Sequence, residues 1–151
     1  MKLHPAGPET VGLLAELHAT AFDAPWTPAA ILEVLEGPGA FGLFAVDEHP
    51  LGMILARAVA GEAEILTVAV SPRARRRGVG RALVDAVALL ARQAGAEDLF
   101  LEVAVDNAAA IALYESRGFS HAGVRKGYYN REGAPAADAA VLRLDLNTSP
   151  A

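Results

Sequence analysis

The amino-acid sequence predicts an α+β fold built on a mixed sheet, and three observations carry the prediction. Two apolar runs, at 40–46 and 51–60, are joined by Asp47-Glu48-His49-Pro50 and read as an antiparallel hairpin. A third run, at 63–70, leads through a glycine-bearing turn into an amphipathic helix and then into a fourth run at 99–105, the strand–helix–strand order that parallel pairing requires. Two more runs, at 119–128 and 138–146, read as closing strands, so antiparallel flanks are expected around a parallel centre.

Taken in order, residues 8–20 place Val11, Leu14, Ala15 and His18 at helical spacing until Ala24-Pro25-Trp26-Thr27-Pro28 interrupts the pattern. Thr27 is a good N-cap with Pro28 in the first helical position, and Ile31, Leu32 and Leu35 give a second helix its apolar stripe before Gly37-Pro38-Gly39 stops it. Beyond the hairpin and the third strand, Val79, Ala82, Leu83, Ala86, Val87 and Leu90 recur at spacings of three and four, while Arg81 and Asp85 lie off that stripe. Gly95 ends this third helix, and the run at 99–105 is apolar enough for a central strand. Asp106-Asn107 can cap a short fourth helix over 108–117, with Gly118 where a C-terminal glycine belongs. One domain over 1–146 and a flexible C-terminal tail over 147–151 are expected.

Composition narrows the function. The chain has 151 residues, 53% hydrophobic and 21% charged, which favours a packed globule over a disordered chain. Its net charge of −5 argues against general affinity for nucleic acid or anionic membrane, yet five of its thirteen Lys and Arg residues fall between Arg73 and Arg81. An acidic protein with its arginines gathered beside a glycine turn is suited to a compact anion. There is no cysteine, which excludes disulfides, thiolate metal sites and cysteine nucleophiles. With no apolar stretch of membrane-spanning length, a cytoplasmic location is expected. His4, His18, His49 and His121 have no ligand spacing, so no metal is expected. The oligomeric state stays open.

The arginines lie in Arg75-Arg76-Arg77-Gly78-Val79-Gly80-Arg81, directly after the strand ending Val68-Ala69-Val70. N–H groups at a helix start lack intrahelical acceptors and sit at the positive end of the helix dipole, so those from Arg76 to Arg81 can wrap a phosphate group where glycines leave room. No Lys-Ser/Thr pair follows, as a P-loop needs, and no third glycine completes a dinucleotide fingerprint. Downstream, Glu102 is the sole charged residue in the run at 99–105, where burial would raise a carboxyl pKa and cost energy unless the site uses it.

Arg75-x-x-Gly78-x-Gly80 after Val68-Ala69-Val70 resembles the acetyl-CoA-binding motif of the GNAT N-acetyltransferases, and the resemblance runs from about 64 to 144. It implies a mixed central sheet of six to seven strands with about four helices on its two faces, and acetyl-CoA as acetyl donor. It further implies that the strand before the turn splays from its neighbour, so that backbone around Val68, Ala69 and Val70 pairs with the pantetheine arm. Arg75, Arg76, Arg77, Gly78, Val79, Gly80 and Arg81 would then hold the pyrophosphate, and Asn107 would contact the arm further along. Leu101-Glu102-Val103 followed by Asn107-Ala108-Ala109-Ala110-Ile111-Ala112-Leu113-Tyr114-Glu115 looks like the bacterial RimI family, which acetylates the N-terminal alanine of a small-subunit ribosomal protein. Pro25-Trp26-Thr27, Tyr128-Tyr129 and Asp138-Ala139 fit the same pattern, whereas Ala134-Pro135-Ala136-Ala137 replaces an acidic residue that RimI sequences tend to carry before that Asp-Ala pair.

The resemblance supports Glu102 as general base, with Glu64 as the alternative; Tyr114, which shares a helix face with Asn107, Ala110 and Ile111, is the candidate general acid to the leaving thiolate. Trp26, Tyr128 and Tyr129 would line the acceptor channel, with Asp138 or Glu132 meeting a basic group of the substrate; a staple onto the core is the competing role for Trp26. The expected reaction is acetyl transfer to a protein N-terminal α-amine. Transfer to a small-molecule amine or a lysine, and a non-catalytic acetyl-CoA-binding module, are the alternatives.

Overall fold

The computed structural model describes residues 1–131 and 134–147, with the side chains of 127–131 and 134–137 set aside. In chain order the elements are β1 (Lys2–Pro5), α1 (Val11–Ala21), α2 (Pro28–Glu36), β2 (Ala40–Val46), β3 (Pro50–Val59), β4 (Glu62–Val70), α3 (Val79–Gln93), β5 (Asp98–Ala104), α4 (Ala108–Ser116), β6 (Ser120–Arg131) and β7 (Ala134–Asp145). The strands form one sheet in the order β1-β2-β3-β4-β5-β7-β6. Among the described residues only β4 and β5 pair in parallel, and every other neighbouring pair is antiparallel. This is the mixed sheet with four helices that the sequence predicts. No helix among the described residues is long and apolar enough to cross a membrane.

Local chemistry sets most boundaries. The Thr27 hydroxyl accepts the Ala30 N–H at 3.1 Å, and Asn107 Oδ1 accepts the Ala110 N–H at 3.2 Å, so α2 and α4 begin where the sequence places their caps. Gly95 and Gly118, both at positive φ, follow α3 and α4. Strand β1 is an addition: Lys2–Pro5 is too short and too close to Pro5 and Pro8 to show a period, yet it pairs with β2 and rests Leu3 on the core. The closing hairpin is longer than expected, because β6 and β7 reach Arg131 and Ala134, carrying the alanine segment 134–137 into β7.

The core is split by the sheet. On one side α3 contributes Val79, Leu83, Val84 and Val87, and α4 contributes Tyr114, against Ile54, Leu99, Leu101 and Leu142. On the other, Leu14 and Leu17 of α1 and Ile31 of α2 pack on Met53, Leu55 and Ala69.

Strand β4 changes its allegiance midway. Ile65 stands opposite Ala56, but Thr67 stands opposite Leu55, so one extra residue is inserted on β4 at Leu66. Before this bulge Ala63 and Ile65 face α3. At the bulge Leu66 and Thr67 both turn toward α1, and beyond it Val68 and Val70 face α3 while Ala69 faces α1. A bulge also bends its strand and increases local twist. The parallel ladder ends at the same point: β4 and β5 pair from Glu62/Asp98 to Ile65/Leu101 and then separate.

Candidate functional site

The separation of β4 from β5 opens a cleft of about 590 Å³, bounded by Val68 and Val70 on one strand, Glu102 and Ala104 on the other, the start of α3, and Asn107, Ala110 and Tyr114 of α4. The splay expected from the resemblance is therefore present, with the bulge and the end of the parallel ladder as its structural correlates.

The β4 wall of the cleft is a strand edge. The Ser71 N–H donates to the Leu51 carbonyl at 2.8 Å, and backbone groups alternate sides along a strand, so Thr67, Ala69 and Ser71 direct theirs at β3. Val68 and Val70 thereby direct their N–H and C=O groups at the gap that β5 has vacated. An extended amide chain can add there as a strand does.

The turn into α3 is a concave donor surface. Arg76 (φ 64°) and Gly78 (φ 79°) are left-handed on either side of Arg77, an alternation that turns successive N–H groups toward one side. The first helical hydrogen bond of this end runs from Ala82 N–H to Gly78 C=O at 3.0 Å, which leaves the N–H groups of 79, 80 and 81 without intrahelical acceptors. The two glycines act differently. At Gly78 an added Cβ meets open space, so the requirement is the backbone conformation itself. At Gly80 an added Cβ lies 3.2 Å from Leu113 Cδ2 and 3.7 Å from Val70 Cγ2, inside the cleft. Arg76 holds the left-handed conformation without a glycine's freedom, at roughly 1–2 kcal/mol, strain of the kind that gathers at binding sites.

The arginine cluster divides. Arg75, Arg76 and Arg81 line the cleft, whereas Arg73 and Arg77 line a separate cavity between α1 and the β2–β3 turn. Arg77 donates to Asp47 at 2.8 Å. The His49 N–H, and after it this guanidinium, hold Asp47 well below the usual carboxylate range, at about 2. Arg77 thus departs from the sequence expectation in its side chain, which is drawn to Asp47, and Ala69 departs in its backbone as well, since its side chain packs against the α1 cluster and its N–H and C=O are directed at β3, leaving Val68 and Val70 to face the cleft.

Glu102 and Tyr114 enter the cleft from opposite faces of the sheet. On β5 the buried Leu99, Leu101 and Val103 face α3, so Glu102 projects to the α1 face, where Arg125 Nη1 donates to its two oxygens at 3.1 and 3.3 Å. Tyr114 comes from the α3 face, 8% exposed, with its ring edge-on to Phe119 at 5.8 Å. Asn107 lines the same cleft while its carbonyl oxygen caps α4.

Among the described residues, neither Trp26 nor Asp138 lines the cleft. Trp26 lines a neighbouring cavity of about 500 Å³ with Glu64, Arg57 and Leu66. Glu64 pairs there with Arg57 at 3.1 Å. Asp138 is half-buried beside the end of β5, where its carbonyl accepts the Val105 N–H at 3.0 Å. The side chains of Tyr128 and Tyr129, and all of Glu132, lie outside the described residues. The sequence reading missed Phe22 and Thr67, which line the cleft, and treated His18 as a stripe residue, although it is buried and bonded to Thr67. The sequence signal was present in His18 itself, a polar side chain on an apolar helix face.

Comparison with known proteins agrees with this architecture. Residues 12–119 match the Acetyltransferase (GNAT) family. The N-alpha-acetyltransferase RimI of Mycobacterium tuberculosis is 37% identical, across 91% of this chain and 93% of that protein. A putative [ribosomal protein bS18]-alanine N-acetyltransferase of Bacillus subtilis is 32% identical, across 92% and 91%. Among solved structures, the ribosomal-protein-S18-alanine N-acetyltransferase from Escherichia coli superposes with a TM-score of 0.89 at 27% identity, covering 99% of this chain and 96% of that one. The chain belongs to the GNAT acetyltransferase family.

Proposed function

We propose that this protein transfers the acetyl group of acetyl-CoA to the N-terminal α-amine of an alanine-first protein, a reading supported by the alanine in the name of its Bacillus subtilis relative and the N-alpha position in the name of its Mycobacterium tuberculosis relative. The observation that carries the reading is the approach of Glu102 and Tyr114 to one cleft from opposite faces of the sheet. A base on the α1 face and an acid on the α3 face suit a reaction whose acceptor and donor arrive from different sides.

The residues present fit acetyl-CoA. The concave turn at Arg76–Arg81, with Arg75, Arg76 and Arg81 around it, suits a pyrophosphate, and the edge at Val68 and Val70 suits the amides of the pantetheine arm. Acetyl-CoA supplies the thioester carbonyl that the amine attacks. Glu102, oriented by Arg125, accepts the proton that the amine must lose. At pH 7 that loss costs roughly 1 kcal/mol for an α-amine and 4.6 kcal/mol for a lysine amine, so an α-amine asks little of its base. Tyr114 then donates its phenolic proton to the departing thiolate, uphill by about 2 kcal/mol, which a positioned site can supply.

Gly80→Val places two methyl groups between Leu113 and Val70, where the donor would run. Acetyl-CoA affinity measured by titration calorimetry is expected to fall about tenfold or more. Wild-type affinity would remove the donor from this part of the cleft. The acceptor is tested by incubating the protein and acetyl-CoA with peptides that differ only in their first three residues and locating the added acetyl group by mass. Acetylation of the α-amine of alanine-first peptides is expected. Transfer to lysine or to small amines instead would overturn the acceptor assignment, and binding without any transfer would make the protein an acetyl-CoA-binding module.

A further inference from the structure

His18 is a buried titratable side chain to which acetyl transfer gives no task. It is 1% exposed, and burial pushes its pKa below the usual 6.5. Its Nδ1 accepts the Trp26 backbone N–H at 3.1 Å, so that nitrogen carries no proton. The neutral ring therefore bears its hydrogen on Nε2 and donates it to Thr67 Oγ1 at 3.0 Å. The ring is also stacked on Phe22, at 4.2 Å and 14°, and on Trp26, at 5.2 Å and 25°. One imidazole thus joins three places. Phe22 lines the cleft and is 40% exposed, Trp26 lines the adjoining cavity beside Glu64, and Thr67 sits at the bulge where the sheet opens.

An apolar side chain could fill this site but could not satisfy the Trp26 N–H, and burying an imidazole costs free energy unless both nitrogens are bonded. Both are bonded here, and both bonds fix the position of the segment between α1 and α2 relative to β4. We propose that His18 is a positioning residue that holds Phe22, in the cleft, and Trp26, in the cavity beside it, as one preformed wall on the α1 face by which the acceptor approaches. The inference rests on the reading of the protein as an amine acetyltransferase whose acceptor approaches from the α1 face. A wall ordered in advance spares the acceptor the entropy of ordering it, so His18 acts on acceptor binding and leaves the donor site and the chemical step unchanged.

The test compares His18→Leu, which keeps an apolar filling, with His18→Gln, whose amide offers a carbonyl oxygen to accept the Trp26 N–H and an NH₂ to donate to Thr67. Trp26 is the single tryptophan of the chain, so its emission reports the stack directly. In His18→Leu, altered Trp26 emission and faster amide exchange over 22–27 are expected, with the KM of an alanine-first peptide raised about tenfold and with kcat and the acetyl-CoA KM unchanged. His18→Gln is expected to restore amide protection and much of the acceptor KM. Wild-type exchange over 22–27 in His18→Leu, or equal changes in both KM values without rescue by Gln, would overturn the proposal. Thr67→Val breaks the Nε2 bond with little change of shape, and if His18→Leu does not fold, amide exchange over 22–27 and Trp26 emission in this variant decide the anchoring role: faster exchange and altered emission support it, and wild-type values overturn it. Exchange and emission need no turnover, so absence of transfer by the wild-type protein would sink the enzymatic reading while leaving the anchoring role decided.

Discussion

Glu102→Gln is expected to lower kcat by about 10²- to 10⁴-fold, the usual contribution of a positioned general base. Gln keeps the volume of the side chain and an acceptor oxygen for Arg125, so the exchange removes the capacity to take a proton with little disturbance of β5. The deficit has a signature. An α-amine has a pKa of about 7.7–8.0, so raising the pH through that range supplies neutral amine without help from the protein, and the variant should recover relative to wild type as the pH rises. A stopped assay on an alanine-first peptide between neutral and mildly alkaline pH measures this. Wild-type kcat in the variant would remove Glu102 as the base and direct attention to Glu64, which occupies the same face of the sheet two β5 positions back, opposite Phe100.

Tyr114→Phe is expected to lower kcat about 100-fold while leaving both KM values near those of the wild type. The substitution deletes one oxygen from a ring that is 8% exposed and packed against Phe119, so the apolar contacts persist and the stability change should stay near the 1 kcal/mol of one hydrogen bond. A second measurement separates acid catalysis from packing. Acetyl thioesters of more acidic thiols leave without a proton, so the variant should lose less with such donors. A loss that is equal for every donor would make Tyr114 a structural aromatic.

How much of this was legible in the sequence depends on how local its cause is. Helix α2 was legible because Thr27, Pro28 and Gly37 punctuate it within a few residues, and α3 because its stripe repeats over several turns. The turn at Gly78 and Gly80 was legible for the same reason, along with Glu102 as an isolated charge in an apolar strand. What escaped depends on partners distant in the chain. Arg77 resembles its neighbours until Asp47, thirty residues away, draws it off. His18 reads as one more stripe residue until Thr67, 49 residues on, accepts its hydrogen. Strand β1 has no period of its own and exists because β2 offers an edge. Trp26, placed between core and channel by sequence, is held against His18 and looks into the cavity next to the cleft.

The inserted residue at Leu66 also constrains how this chain can change over time. Because β4 reads one way before that point and the opposite way after it, the strand behaves as two reading frames spliced together. Point substitutions can drift within either half. Loss of a single codon at the splice is a different event, since it would invert every downstream side chain, sending Val68 and Val70 into the packing of Leu14 and Ile31 and Ala69 into the cleft. Lineages that share this cleft should therefore tolerate length changes at the β2–β3 turn, yet keep the residue count between Glu62 and Gly78 fixed.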